Sequence, residues 1–228
     1  LWDVACRFCS TAGRHVPDRM RPTPRTTPSP TPMRLGGRIK VRAVQISFVE
    51  TQKSKSTPRK AKLSVGFILA PQFTLLAFSA FVEALRLAAD EGDRSRPIDC
   101  DWKVLSLDMA PIVASSGVEI EPTHVLTDPA EFDYLVVVGG LLKDLKLRPE
   151  LSDYIRRAAE ASVPIIGLCT GSFVLAELGL MGGKKSCISL YVAEDFASRF
   201  PALEYSSTEL FVDEGDRLTC AGGVSVVH

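Results

Sequence analysis

Histidine is scarce in this sequence, and long apolar runs are missing. Only three of the 228 residues are histidine, so chemistry that needs an imidazole has few candidates. The longest apolar stretches, such as 135–138, are far shorter than the ~20 residues that a transmembrane helix requires. We therefore expect no membrane partner. Hydrophobic residues make up 46% of the chain, enough for one buried domain rather than two.

A net charge of zero conceals two segments of opposite sign. Residues 1–62 hold 14 Lys and Arg against 3 Asp and Glu, whereas residues 63–228 hold 13 against 24. The first segment also contains seven of the 15 prolines and little apolar periodicity, a composition typical of disorder. We therefore predict a disordered, basic, proline-rich leader over 1–62 and one folded domain over 63–228. The leader could serve as an organellar transit peptide or as a basic arm on nucleic acid.

Nothing in the sequence directs the chain to an oxidising compartment, because it has no apolar core of the length that a secretory signal needs. We therefore expect a cytoplasmic protein whose six cysteines are free thiols. Cys6 and Cys9 form a CxxC pair, but no second pair follows to complete a zinc site, so no metal is predicted. Cys100, Cys187 and Cys220 lie beside strand-like residues, where a free cysteine acts as a small buried apolar group.

From residue 63 onwards, short apolar runs alternate with amphipathic helical segments. This alternation is typical of parallel strands joined by crossover helices, so it predicts an α/β fold with a mostly parallel central sheet. The predicted strands are 63–69, 102–107, 134–138 and 163–168, with a small hairpin over 112–120. The predicted helices are 75–90, 149–162 and 173–178.

One cysteine lies where a buried strand turns directly into a helix. The segment 167–171 reads Gly-Leu-Cys-Thr-Gly, the pattern of a nucleophile elbow with sulfur in place of the serine oxygen. The Cys169 side chain should project beyond the carboxyl edge of the sheet, where the following helix terminus favours an anion. Gly139 and Gly140 follow a neighbouring strand and would let backbone N–H groups approach a ligand, although a structural turn explains them equally well. Alternatively, Cys169 is a buried structural cysteine at an ordinary turn between a strand and a helix.

A reactive thiol needs a proton acceptor within hydrogen-bonding reach and a group that orients that acceptor. The histidines are His15, His124 and His228, and none of them neighbours Cys169 in the sequence. His124 follows a proline in a loop or edge segment. Its distance from Cys169 in space is left open by the sequence.

Five motifs follow one another along the folded domain. They are GFILAPQF at 66–73, EALR at 83–86, VVVGG at 136–140, GLCTGSFVLA at 167–176 and TCAGG at 219–223. With these motifs the chain resembles the amino-terminal domain of AraC-family regulators of the GlxA type, a branch of the PfpI-like, class I glutamine amidotransferase-like superfamily. The resemblance implies a flavodoxin-like three-layer sandwich that forms a homodimer and senses a small metabolite.

In that family, two helix-turn-helix motifs that bind DNA follow the sensing domain. This chain stops five residues after Gly223, so we expect a truncated regulator that would contact DNA only through a missing carboxyl-terminal part.

The chain departs from the enzymes of the superfamily at three positions. Those enzymes use a histidine directly after the elbow cysteine or on the segment after the elbow helix, together with an acidic residue near the start of the first helix. Thr170, Ser189 and Ala77 stand at these places. The resemblance therefore implies a metabolite-binding domain without catalysis or a cofactor. The predicted ligand-binding residues are Gly139, Gly140, Cys169, Thr170 and Ser189.

Two alternatives use the same elbow. A cysteine-dependent hydrolase, glyoxalase or deglycase would employ Cys169 as its nucleophile, with oxyanion donors from the backbone near Gly140 and Thr170. A redox sensor would depend on oxidation of Cys169, although the sequence shows no evident resolving cysteine.

Overall fold

The computed structural model describes residues 63–89 and 99–227. The leader predicted over 1–62 lies outside the described residues, and so do Cys6, Cys9, His15 and His228.

The described residues form short strands and helices that alternate along the chain. The strands are β1 (Leu63–Leu69), β2 (Cys100–Ser106), β3 (Ile112–Val113), β4 (Glu119–Ile120), β5 (His124–Val125), β6 (Tyr134–Val138), β7 (Ile165–Leu168), β8 (Ser186–Cys187), β9 (Tyr205–Ser206), β10 (Phe211–Asp213) and β11 (Arg217–Cys220). The α-helices are α1 (Leu75–Ala89), α2 (Pro149–Glu160), α3 (Gly171–Glu177) and α4 (Ala193–Arg199).

Seven of these strands form the central sheet, in the order β10-β11-β7-β6-β1-β2-β5. All neighbouring pairs are parallel except β10 with β11, which is antiparallel at one edge. The hairpin predicted over 112–120 is confirmed as the antiparallel pair β3 and β4. The predicted α/β fold with a mostly parallel sheet is therefore confirmed.

The sheet is buried on both faces, as strand β6 illustrates. Successive side chains of a strand point to opposite faces. Leu135 and Val137 belong to one apolar cluster, whereas Val136 and Val138 belong to the other. Helices α2, α3 and α4 supply the first cluster, and α1 supplies the second. The described residues thus form a flavodoxin-like three-layer sandwich, as the resemblance implied.

The end of helix α2 differs from the prediction by two residues. Pro149 occupies its first turn, where the missing N–H costs nothing. The helix ends at Glu160 rather than at Ser162, because Ser162 has a left-handed backbone with φ of 60°. The Val163 N–H then donates to the Ala158 carbonyl, a Schellman-type cap that turns the chain towards β7.

In the ranges that the structure describes, no helix combines the length and the apolar character needed to cross a bilayer.

Candidate functional site

Cys169 lies between the end of β7 and the start of α3, so the predicted strand-cysteine-helix elbow is confirmed. Its φ of 55° is left-handed, a conformation that costs a non-glycine residue about 1–3 kcal/mol. Backbone contacts hold the turn in place. The Cys169 N–H donates to the Cys220 carbonyl at 3.2 Å, and the Ser172 hydroxyl donates to the Cys169 carbonyl at 3.1 Å.

The Cys169 thiol is half-buried between two residues that sequence reasoning missed. The Thr74 hydroxyl donates to Cys169 Sγ at 3.4 Å. On the other side, Gly222 has φ of 87°, and a Cβ added there would lie 2.6 Å from the Cys169 Cβ. Gly222 therefore has to be glycine for the elbow to close. Gly222 lies within the TCAGG motif, but no local signal marks Thr74 as a partner of a thiol 95 residues away.

The glycine pair after β6 packs against the elbow backbone. The Gly139 N–H donates to the Leu168 carbonyl at 3.0 Å, and the Gly139 carbonyl accepts from the Thr74 N–H at 3.0 Å. A Cβ at Gly139 would overlap the backbone of Thr170 and Gly171. A Cβ at Gly140 would overlap the backbone carbonyl of Gln72. The Gly139 N–H is thus used within the fold. Contact of these glycines with a ligand stays a prediction.

The structure brings four of the five predicted ligand-binding residues together. Thr170 is buried, and its hydroxyl donates to the Gly140 carbonyl at 2.6 Å, which joins the elbow to the glycine pair. Ser189 is half-buried at the start of the 3-10 turn Leu190–Val192, and its side chain caps no backbone N–H. No hydrogen bond in the described residues links Ser189 to Cys169.

A second thiol, Cys220, lies beside the elbow on strand β11. Its register partner on β7 is Leu168, the residue before Cys169. Burial raises the pKa of the Cys220 thiol to about 11, so it carries its proton at neutral pH. Cys100, Cys187 and Cys220 are all buried free thiols, as predicted.

No imidazole or carboxylate contacts the Cys169 thiol through a hydrogen bond in the described part of the chain. Ala77, where the enzymes place an acid, is fully buried in helix α1. His124 lies on β5 at the far edge of the sheet, where its register partner is Leu105. Four strand spacings of ~4.8 Å separate β5 from β7, so His124 is about 19 Å from the elbow strand. Its proximity to Cys169, which the sequence left open, is excluded.

Between 63 and 227, the described histidine, cysteine and acidic side chains form no group of three that could hold a metal ion.

A cavity of about 350 Å³ opens at the carboxyl ends of β1 and β2, and we call it the Arg148 cavity. Polar lining comes from Gln72, Ser106, Asp108 and Arg148. Arg148 Nη1 donates to Asp108 Oδ2 at 2.7 Å. A hydrogen bond from the Ala110 N–H, together with the Arg148 guanidinium, holds the pKa of Asp108 below its usual range. Sequence reasoning missed this cavity, because its charged pair joins residues 40 apart and no local motif marks either one.

Comparison with known proteins finds relatives of two kinds, transcriptional regulators and an enzyme. A model of the DJ-1/PfpI family matches residues 63–224. The HTH-type transcriptional regulator CdhR of Pseudomonas aeruginosa is 33% identical over 161 residues, which are 71% of this chain and 46% of that protein. Isonitrile hydratase of Pseudomonas putida is 30% identical over 125 residues, which are 54% of this chain and 51% of the enzyme.

A solved structure shares the fold. The crystal structure of an AraC family transcriptional regulator from Pseudomonas putida superposes with a TM-score of 0.59 and 24% identity, over 72% of this chain and 86% of that one. The chain spans about half the length of the curated relatives it matches.

Proposed function

Because the chain belongs to the DJ-1/PfpI family, and because no base contacts Cys169 among the described residues, we propose that residues 63–228 are the ligand-sensing domain of an AraC-family transcriptional regulator. In this proposal the domain binds a small polar or anionic metabolite at the elbow and does not transform it. The residues proposed to line the site are Gly139, Gly140, Cys169, Thr170 and Ser189.

The environment of the Cys169 thiol is the observation that supports the proposal. Its hydrogen-bond partner is the Thr74 hydroxyl, which donates to sulfur. A threonine hydroxyl does not take up a proton at neutral pH, so it cannot replace the histidine or carboxylate of a nucleophilic enzyme. General acid–base assistance contributes about 10²- to 10⁴-fold to rates. Without it the elbow is better suited to binding than to turnover.

The regulator relatives support the remaining parts of the proposal. CdhR is named as an HTH-type transcriptional regulator, and this chain matches 46% of its length. We propose that the full regulator contacts DNA through a separate helix-turn-helix part and works as a homodimer. Because such a regulator has to reach DNA, the proposal includes a cytoplasmic location.

A thermal-shift screen with amino acids and quaternary amines tests the sensing role. A ligand that binds only the folded state raises the melting temperature in a saturable way. We expect at least one compound to do so with wild type. Cys169→Ser, which nearly preserves volume, should retain the shift, whereas Cys169→Met should remove it by filling the elbow. A screen in which no compound raises the melting temperature contradicts the proposal.

The alternative is a cysteine-dependent enzyme of the same family, and the similarity to isonitrile hydratase favours it. Cys169 would then be the nucleophile, with oxyanion donors from the backbone near Gly140 and Thr170. Turnover of an isonitrile or of methylglyoxal by wild type, lost in Cys169→Ser, would establish this function in place of sensing.

A further inference from the structure

The Arg148 cavity has the position and size of a small-molecule site. Parallel α/β sheets bind ligands outside the carboxyl ends of their strands, which is where β1 and β2 end here. Its volume of about 350 Å³ falls within the ~300–1,000 Å³ typical of ligand pockets. Apolar walls come from Leu69, Leu105 and Ile112, among others. The lining of the cavity is therefore mostly apolar, with polar groups on one part of it.

Two polar side chains of the lining have no hydrogen-bond partner among the described residues. Ser106 is only 8% exposed, yet no protein group bonds to its hydroxyl. Gln72 is half-buried, and its side-chain amide likewise makes no hydrogen bond within the described ranges. Neither polar group is among the fully buried unpaired atoms of the described residues, so both are accessible from the cavity and are open to a partner that enters it.

The guanidinium of Arg148 is hydrogen-bonded at the cavity to the exposed carboxylate of Asp108. Asp108 accepts from Arg148 Nη1 through Oδ2 and from the Ala110 N–H through Oδ1. Arg148 Nε lies 3.9 Å from Glu150 Oε2. The donors on Nη2 remain unpaired in the described structure. An arginine oriented in this way pairs well with a carboxylate, because its planar donors match two oxygens.

Strained backbone also occurs in the cavity-lining segments. Gln72 and Met109 have φ of 56° and 59°, two of the four left-handed values among described non-glycine residues, and Cys169 is a third. The Gln72 N–H donates to the Val113 carbonyl, and the Gln72 carbonyl accepts from the Leu141 N–H. Such strain persists only where the surroundings impose it, and it is concentrated at binding sites.

From these observations we propose that the Arg148 cavity is a second small-molecule site, which binds a carboxylate with a short apolar tail. The carboxylate pairs with the free donors of Arg148 and accepts from Ser106 or Gln72. The tail packs against Leu69 and Ile112. This site does not require Cys169, so it stands independently of the elbow site proposed above.

Titration of the full chain with isovalerate, followed by NMR of backbone amides, tests the proposal. Isovalerate combines a carboxylate with a branched apolar tail, and isovaleramide is its neutral isostere. We expect isovalerate to shift the amides of Ser106, Gln72 and Val113 in a saturable way. Isovaleramide should bind at least about tenfold more weakly, because charge-assisted hydrogen bonds are roughly twice as strong as neutral ones.

A second arginine variant supplies the matched control. Arg148→Gln should weaken isovalerate binding about tenfold or more, and Ser106→Ala should weaken it less. Arg156→Gln removes an arginine of helix α2 that pairs with Asp153 on the surface, and it should leave binding unchanged. Cys169→Ser should also leave it unchanged.

Three results would overturn the inference. They are the absence of a saturable shift, equal affinity for acid and amide, and equal losses in Arg148→Gln and Arg156→Gln. Shifts confined to amides around Cys169 would overturn it as well, while leaving the elbow proposal intact.

Discussion

The elbow and the Arg148 cavity both involve segment 71–74, and they differ in how their polar groups are used. At the elbow, Thr170 bonds to Gly140, and the glycine pair packs against backbone. At the cavity, the side chains of Ser106 and Gln72 have no hydrogen-bond partner within the described residues. The elbow residues therefore serve to hold the fold together, whereas two cavity side chains are left without a protein partner. Of these, Gln72 lies in the GFILAPQF motif and Ser106 lies outside the five motifs.

Gly139→Ala should produce the largest loss of stability. The added Cβ would overlap the backbone of Thr170 and Gly171. Relieving this overlap would require strand β6 or helix α3 to shift within the packed core. We expect the free energy of unfolding to fall by about 3 kcal/mol or more. Gly182→Ala is the control, because nothing lies within 4 Å of its added Cβ, and it should change little. Urea denaturation of both variants gives the comparison, and equal values would show that the elbow packing is not tight.

Alkaline pH should weaken the fold next to the elbow through Cys220. Burial raises its pKa from 9.0 to about 11 in the folded state. Between pH 9 and pH 11 the unfolded chain loses the Cys220 proton while the folded protein keeps it. The free energy of unfolding is therefore unaffected below pH 9 and falls as pH rises from 9 to 11. One pH unit corresponds to about 1.4 kcal/mol, so the loss over this range is roughly 3 kcal/mol.

Cys220→Ala should remove this contribution, so its free energy of unfolding should fall less steeply than that of wild type between pH 9 and pH 11. Burial also raises the pKa of Cys100 and Cys187 to about 12, but both proteins share those thiols. The difference between the two curves therefore isolates Cys220. Parallel curves would contradict the prediction.

The fold could be predicted from the sequence because its signals are local. A parallel sheet buried on both faces needs continuous apolar strands, and 134–138 and 163–168 have that pattern. The elbow is also local, since strand, cysteine and glycine are consecutive. Thr74 and the Arg148 cavity were missed, because their contacts join residues 95 and 40 positions apart. Such pairings depend on strand order, which the pattern of a single chain does not specify.

Thr170→Val should have an intermediate effect. It removes the hydroxyl that donates to the buried Gly140 carbonyl while nearly preserving volume. An unsatisfied buried acceptor costs about 1–3 kcal/mol. Thr170→Ser keeps the hydroxyl and should recover most of the loss. If both variants unfold at the same urea concentration, the bond between the elbow and the glycine pair contributes nothing, and the contrast with the cavity disappears.

Arg148→Gln should have the smallest effect on stability, even though we expect it to have the largest effect on carboxylate binding. The side chains of Arg148 and Asp108 are 56% and 52% exposed, so water and salt screen their attraction. Arg148 also precedes the first turn of helix α2, where a positive charge opposes the helix dipole. The attraction to Asp108 and the repulsion from the helix dipole have opposite signs. The midpoint of urea unfolding should therefore stay within error of wild type at any salt concentration.

A clear loss of stability in Arg148→Gln, reversed in the double variant with Asp108→Asn, would make the pair a structural element like the elbow. A cavity that loses binding without losing stability would instead confirm that its polar groups are held for a ligand.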